Sequence, residues 1–422
     1  MTHVIDILKE RGFIEAMTSD ELLEMAKKPF KVYCGFDPTG DSLHLGHMVA
    51  LMGLAWFQRF GHTPIAIVGG ATGMIGDPSG KSQERQLLDE ETIEHNLKGI
   101  QKNLKALLDF TKENSAQILN NLDWFKNFSF IGFLRDVGKF FRLGPMLAKD
   151  SVKTRLNSEE GMSFTEFSYQ LLQGYDFLYL FNHYDVTVQI GGSDQWGNIT
   201  AGTDLIRKVH GKPAYGITFP LLTRSDGQKF GKSEKGAIWL SEDRCSPYEF
   251  YQYLVRLPDA DVIKLMRLLT FMDMEEIKSI EVSMGQENYV ANAAQKRLAE
   301  EVTRLVHGDS GLETALKVTR GANPGSETVL DGEVLEQISL DMPNQTLSKC
   351  QVLGHKIIDL IVAVGLQPSK GEARRLVKNG GVYINNTKII DENLKVEEAD
   401  LIDGRLLLIA AGKKNKILVR IQ

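Results

Sequence analysis

The pattern of apolar positions changes several times along the chain, and each change marks an element. Lys31 to Phe36 reads as a short strand, and helical spacing begins near His44 and runs to Gly61. Pro64 to Val68 is an unbroken apolar run, the mark of a strand buried on both faces, and it leads into a glycine-rich turn from Gly69 to Gly80. Val186 to Ile190 repeats the theme, entering Gly191-Gly192 before a helix that runs through Lys208. Strands alternating with helices predict an α/β fold, a parallel sheet with helices on its faces. The stretch from about 89 to 161 interrupts this alternation as an insertion. Within it, Trp124 to Phe141 carries seven aromatics in 18 residues, well above the chain average of 8%. Such density belongs either to a local core or to a subunit interface, where aromatics are enriched.

From Pro247 to about Arg320 the spacing is helical again, and no solenoid period repeats. Scattered glycines, prolines and acids then read as a connector. The chain therefore divides into an α/β domain over 1–236, a helical domain over 237–320, a linker over 321–350 and a small module over 351–422.

Composition narrows the class. The 422 residues are 42% hydrophobic and 25% charged, as in ordinary globular proteins. The formal charge of −6 excludes a chain that is basic throughout, yet residues 355–422 carry +4 and the remainder −10. A basic module on an acidic body suggests a polyanionic partner. Cys34, Cys245 and Cys350 are far apart and form no C-x-x-C, which fits a reducing cytoplasm. No signal-peptide core and no run of 18 apolar residues is present, so a membrane span is not expected.

Three clusters carry candidate chemistry. The first is Tyr33-Cys34-Gly35-Phe36-Asp37-Pro38-Thr39-Gly40 followed by His44-Leu45-Gly46-His47. Two imidazoles in the first turn of a helix suit phosphate oxygens, although an H-x-x-H alone is more often structural or on the surface. The second is Lys229-Phe230-Gly231-Lys232-Ser233, two lysines on a glycine-containing loop. A Walker A loop would need glycine at Asp226, so this is not a P-loop. The third is Tyr169, Gln173 and Asp176, which fall within about 60° of one another on a helix. They form either a solvated face or the wall of a polar pocket. Asp194-Gln195-Trp196 follows a strand end, where open α/β sheets bind ligands, and Asp77, Lys81 and Arg85 follow another.

Taken together, these clusters resemble the class I aminoacyl-tRNA synthetases, and within them the bacterial tyrosyl branch. His44-Leu45-Gly46-His47 is similar to the family's H-I-G-H motif, and Lys229 to Ser233 to its K-M-S-K-S motif. Gly70 to Gly80, Tyr169 to Asp176 and Gly191 to Asn198 match in the same order. Ser369 to Val377 with Gly380 to Asn385 resembles a small RNA-binding module first known from a ribosomal protein.

The resemblance implies a Rossmann-like catalytic domain and a two-step reaction. Tyrosine carboxylate attacks the α-phosphate of ATP, and the activated tyrosine passes to the terminal adenosine of tRNA(Tyr). ATP enters as its magnesium complex, with no tightly bound cofactor. Thr39, His44, Lys81, Arg85, Lys229, Lys232 and Ser233 would hold the polyphosphate. His47, Cys34, Gly46, Gly191 and Asp194 would contact the rest of the nucleotide. Tyr33 and Asp176 would take the phenol hydroxyl, Asp77, Tyr169 and Gln173 the ammonium, and Gln195 the carboxylate, with Gly35 and Asp37 in the same pocket. Arg207, Lys208, Lys370, Arg374, Arg375, Lys413, Lys414 and Lys416 would meet tRNA. A cytoplasmic homodimer is implied as well. Two other enzymes compete: tryptophan activation, disfavoured by Tyr33 with Asp176, and nucleotidyl transfer to a small acceptor, disfavoured by the basic tail. A non-catalytic RNA-binding protein is disfavoured by the intact phosphate-binding motifs.

Overall fold

The computed structural model describes residues 2–80, 87–158, 161–227, 230–233, 236–340, 342–412 and 415–422. By contact density the chain forms two units, one of Met1–Cys245 with Tyr253–Gly308 and one of Ser246–Gln252 with Asp309–Gln422.

The first unit is built on six strands: β1 (Ala16–Met17), β2 (Lys31–Phe36), β3 (Thr63–Val68), β4 (Gln117–Asn120), β5 (Val186–Gly192) and β6 (Tyr215–Phe219). Their order is β1-β6-β5-β2-β3-β4, parallel throughout except for the short antiparallel β1 edge. Residues 64–68 of β3 are all buried, as a central parallel strand covered on both faces requires. From β2 the chain moves outward to β3 and β4, whereas β5 and β6 lie on its other side. This reversal opens a crevice at the C-terminal ends of β2 and β5. The Phe164–Tyr184 helix feeds β5 directly through Asp185, which closes the helix in the left-handed region at φ 55.

The stretch read as an insertion is partly integral to the sheet, because Gln117–Asn120 supplies the outer strand β4. Four half-buried residues at a sheet edge leave no periodicity to detect. Most of the aromatics of 124–141 pack into the core beside the Phe164–Tyr184 helix. Trp124 stacks on Tyr179 at 4.5 Å, while Phe125, Phe128 and Phe133 surround Tyr175. Phe130 differs: its helix, Phe130–Asp136, has no buried residue, and Phe130 and Ile131 are 65% and 71% exposed.

The boundary read at 236 falls within a hairpin of β7 (Lys232–Ser233) and β8 (Gly236–Ala237). The 237–320 segment is helical as expected, with helices Pro247–Val255, Asp259–Leu269, Met274–Met284 and Ala293–Gly321, the last broken at Gly308.

In the second unit, β9 (Asn344–Leu347), β10 (Val382–Ile384), β11 (Thr387–Ile389), β12 (Leu406–Ala411) and β13 (Asn415–Ile421) form a sheet ordered β11-β10-β12-β13-β9. Asn385 and Asn386, both at positive φ, make the two-residue turn between β10 and β11. The segment read as a linker contributes to this unit. The Gly332–Ser339 helix packs Leu335 against Leu406, Leu408 and Leu418, and β9 runs parallel to β13. Its glycines and prolines flank these elements, which is why the composition alone reads as a connector.

Candidate functional site

The crevice at the strand ends gathers the first-unit site residues into two regions of opposite character. One is acidic and enclosed. Tyr33 on β2 is buried, with its ring edge-on to Phe177 at 5.2 Å. Its hydroxyl is enclosed without a hydrogen-bond partner among the described residues. Burial raises the Tyr33 phenol pKa, and the nearby Asp176 raises it further. Asp176 is buried in the Phe164–Tyr184 helix, where Oδ1 accepts from Trp124 Nε1 at 2.8 Å and Oδ2 from Asn121 Nδ2 at 3.1 Å. Burial pushes the Asp176 carboxyl up to about 8 against these two hydrogen bonds, with Asp37 adding to the rise.

Asp37 accepts from Thr72 Oγ1 at 2.7 Å and from the Tyr169 hydroxyl at 2.8 Å. A Cβ on Gly69 would lie 2.1 Å from Asp37 Oδ1, so only glycine lets the carboxylate sit there. Asp77 accepts from Gln195 Nε2 at 2.7 Å, Ser79 N–H at 3.0 Å and Asn198 Nδ2 at 3.2 Å. The Tyr169 phenol pKa is raised by burial first, then by Asp37, Asp77 and Asp176. Three carboxylates thus converge on one buried phenol, and Gln173 stands half-buried on the same helix. The carboxylates' supporting donors, Thr72, Asn121, Trp124, Ser79 and Asn198, were missed by sequence reasoning. No spacing singles them out; only the strand-end placement of Gly70 to Gly80 and Gly191 to Asn198 could have drawn attention to those segments.

The second region is imidazole and lysine. The helix expected from His44 begins at Met48, and Leu45–His47 form a single 3-10 turn. This changes the anion argument. Gly46 N–H donates to His44 Nδ1 at 3.1 Å, His47 N–H to His44 carbonyl at 2.8 Å and Leu45 N–H to Ile238 carbonyl at 2.8 Å. The turn's backbone donors are spent within the protein, so any phosphate must be met by the rings. His44 N–H in turn donates to His47 Nδ1 at 3.1 Å, and the rings lie 4.0 Å apart. With both Nδ1 atoms accepting, each neutral ring carries its proton on Nε2.

The lysine loop is stitched to this turn. Gly231, at φ +77, sits so close that a Cβ would fall 2.9 Å from Gly46 N. Gly231 carbonyl accepts from Ile238 N–H at 2.8 Å, and His44 bridges to Trp239 as antiparallel strand. Lys232 follows on β7, exposed. A Cβ on Gly80 would stand 3.4 Å from Asp194 Oδ2, which brings the two glycine-rich strand ends together. Thr39 and Gly35 are exposed at the mouth, and Gly191 is buried within β5. Cys34 is buried, and desolvation pushes its thiol up to about 12, so it is a neutral group and no nucleophile. Lys81, Arg85 and Lys229 and the Ser233 side chain lie outside the described residues. Among the described residues, no group of three His, Cys, Asp or Glu side chains is set to hold a metal.

The proposed tRNA cations vary in how committed they are. Arg207 and Lys208 both pair with Asp204, at 2.5 and 2.6 Å, and Lys208 also donates to the Phe140 carbonyl at 2.7 Å. Lys370 pairs with Asp359 at 2.9 Å. Arg374 and Arg375 are exposed on the Lys370–Lys378 helix, whereas Lys416 donates to the Ala322 carbonyl and serves the packing of its own unit. Lys413 and Lys414 lie outside the described residues. No described helix is long and apolar enough to cross a membrane.

Comparison with known proteins agrees with this geometry. A family profile for class I tRNA synthetases (W and Y) matches residues 25–322, and one for the tyrosine–tRNA ligase SYY-like C-terminal domain matches 334–419. The chain is 69% identical to a tyrosine–tRNA ligase of Protochlamydia amoebophila over 100% of its own length and 99% of the relative's. It is 53% identical to the chloroplastic/mitochondrial tyrosine–tRNA ligase of Arabidopsis thaliana, over 99% of this chain and 84% of that one. Among solved structures, a C-terminally truncated mitochondrial tyrosyl-tRNA synthetase of Aspergillus nidulans superposes with a TM-score of 0.67 at 32% identity, covering 75% of this chain and 92% of the other.

Proposed function

The chain belongs to the class I tRNA synthetases of the tryptophan and tyrosine branch, and on that footing we propose how its residues divide the work of charging tRNA(Tyr). The reaction itself is tyrosine–tRNA ligation: tyrosine and ATP give tyrosyl-adenylate and pyrophosphate, and tyrosine then passes to the 3′-terminal adenosine.

The observation that carries the assignment is the enclosed Tyr33 hydroxyl beside Asp176, a polar pair with hydrogen-bonding capacity left over. The substrate phenol fills that gap. Its O–H donates to Asp176, and its oxygen accepts from Tyr33. The ammonium goes to the acids around Tyr169: Asp77 and the Tyr169 hydroxyl receive it, with Asp37 fixing the orientation of Tyr169 and Gln173 flanking. Gln195, held by Asp77, turns toward the carboxylate. That carboxylate is ionised at neutral pH and needs no general base.

Catalysis is then positioning and electrostatic stabilisation. His44 and His47 present Nε2–H donors, and Lys232, with Lys229, Lys81 and Arg85, gathers the charge that moves onto pyrophosphate as the bond breaks. Thr39 and Ser233 add hydroxyl donors. Asp194, Gly46, Gly191 and the Cys34 thiol border the nucleoside. ATP enters as its magnesium complex.

Arg374, Arg375 and Lys370, with Lys413 and Lys414, meet the tRNA backbone from the small module, and Arg207 and Lys208 meet it from the catalytic unit. The exposed Phe130 and Ile131 support a homodimer formed through this face, since a two-fold contact uses one patch twice. Three free thiols support a cytoplasmic location.

The test is pyrophosphate exchange with each amino acid in turn. Exchange should depend on tyrosine and be far weaker with phenylalanine or tryptophan. Equal exchange with tryptophan would overturn the pocket assignment.

A further inference from the structure

We propose that Tyr253 and Asp261 are positioning residues for adenylate formation, setting the lysine loop against the histidine turn; this rests on the phosphate role given above to Lys232. Neither residue belongs to a motif in the sequence. Both lie in the helical segment after the lysine loop, and each holds one end of the loop.

Asp261 stands in the first turn of the Asp259–Leu269 helix and is 8% exposed. Its two oxygens each accept from Ser225 N–H at 3.0 Å, and Oδ2 also accepts from Ser225 Oγ at 3.0 Å. A carboxylate is costly to enclose, and here its hydrogen bonds go to a single residue at the start of the loop. At the other end, Gly231 N–H donates to the Tyr253 hydroxyl at 2.8 Å. The Arg224 guanidinium stands near the same hydroxyl, and its Nη2 reaches Asp226 Oδ2 at 2.5 Å. The Tyr253 ring stands edge-on to the buried Phe230 at 6.1 Å.

Gly231 is thereby fixed on three sides. Its N–H is held by Tyr253, its carbonyl by Ile238, and its Cα lies against Gly46 with no room for a methyl group. The next residue is Lys232. The N–H lies in the peptide plane before Gly231 and the carbonyl in the plane after it, so holding both fixes the backbone dihedrals of Gly231 and with them the direction in which the Lys232 side chain leaves the backbone. Without the Tyr253 hydroxyl the Gly231 N–H loses its partner, the plane before Gly231 can rotate, and Lys232 is no longer delivered to one place. The consequence falls on the step in which the lysine acts, and not on tyrosine binding at the far end of the crevice.

The experiment is single-turnover adenylate formation at saturating tyrosine and ATP, together with tyrosine Kd by equilibrium dialysis, on the full chain. Tyr253→Phe keeps the ring against Phe230 and removes only the hydroxyl. It should slow adenylation about 3- to 10-fold, the worth of one hydrogen bond, and leave tyrosine Kd unchanged. Asp261→Ala should slow it comparably, and Asp261→Asn, which keeps one acceptor for Ser225 N–H, should recover part of the loss. In a Lys232→Ala background, Tyr253→Phe should cost less than about 2-fold, because the group it positions is gone. The same factor in both backgrounds, or a parallel loss of tyrosine affinity, overturns the proposal in favour of a merely structural role. Parental rates in Tyr253→Phe and Asp261→Asn beside a slow Lys232→Ala overturn this proposal alone. A parental rate in Lys232→Ala overturns the lysine's phosphate role, and this proposal with it.

Discussion

Replacing Tyr33 with phenylalanine should produce a protein that is more stable and less selective. The Tyr33 hydroxyl is enclosed, and no group among the described residues bonds it. An enclosed polar group without a partner costs about 1–3 kcal/mol, so its removal from the substrate-free enzyme should return a stabilisation of that order. For a chain of 422 residues, each kcal/mol raises Tm by about 1 °C. With tyrosine bound the balance reverses, since the phenol oxygen loses a donor worth about 0.5–1.5 kcal/mol, and kcat/KM for tyrosine should fall about 2- to 12-fold. Phenylalanine has no hydroxyl to lose, and in the parent it leaves both Tyr33 and Asp176 unanswered. Its kcat/KM should hold or rise in the variant, so the Tyr/Phe ratio should fall by more than tyrosine's own loss. Two assays decide: thermal denaturation without substrate, and pyrophosphate exchange with each amino acid. A variant with lower Tm and an unchanged ratio would refute the reasoning, since the hydroxyl would then serve the fold and not the substrate.

Other outcomes follow from the same geometry. The Asp176 carboxyl moves from 3.8 to about 8 on folding, so the folded protein holds that proton more tightly. Its contribution to stability is complete below about pH 4 and is lost as pH rises toward 8; thermal denaturation across pH 5–8 should therefore favour Asp176→Asn over the parent increasingly. Tyrosine lacking its ammonium should compete in exchange at least about 10-fold more weakly than tyrosine lacking its carboxylate, because Asp77 and Tyr169 meet a full charge. Arg374→Ala with Arg375→Ala should spare exchange, slow tRNA charging and reduce the salt slope of tRNA binding by about 2, read by filter binding across salt. Sedimentation should give twice the 47.2 kDa chain mass, and Ile131→Asp should shift it toward the monomer.

Elements with an unbroken pattern were legible in the sequence. The β2 and β5 strands and the helices after Pro247 lie where their apolar runs place them, since a buried parallel strand announces itself. What failed to show had either too little length or too much polarity. The four residues of β4 have no period, and the Gly332–Ser339 helix hides among turn formers. The acids and histidines of the candidate site stood out in the sequence because they lie after strand ends, on one helix face or in motifs that resemble the family's, and the crevice brings them together. Their partners were not: Asn121, Trp124, Thr72 and Asn198 come from separate segments, and only the sheet order brings them together. The histidine turn shows the limit of local reading, because its amides looked available in sequence and are consumed by His44 and Ile238 in the fold.

The site's chemistry follows from separating charge along one crevice. Asp37 and Asp77 bring charge to one end, with Asp176, whose carboxyl burial pushes up to about 8, beside them, and each is already bonded by fixed donors, so their orientation is settled before substrate arrives. The imidazoles and Lys232 gather at the other, joined by the bridge from Trp239 to His44. On the proposed assignment, a zwitterion entering this field would be aligned by its own charges, the ammonium drawn to the acids and the carboxylate facing the cations proposed to hold the polyphosphate. The nucleophile is thus aimed by its substituents, and the protein needs no group that attacks or abstracts. Cys34 on β2 is consistent with this, since burial pushes its thiol up and keeps it neutral.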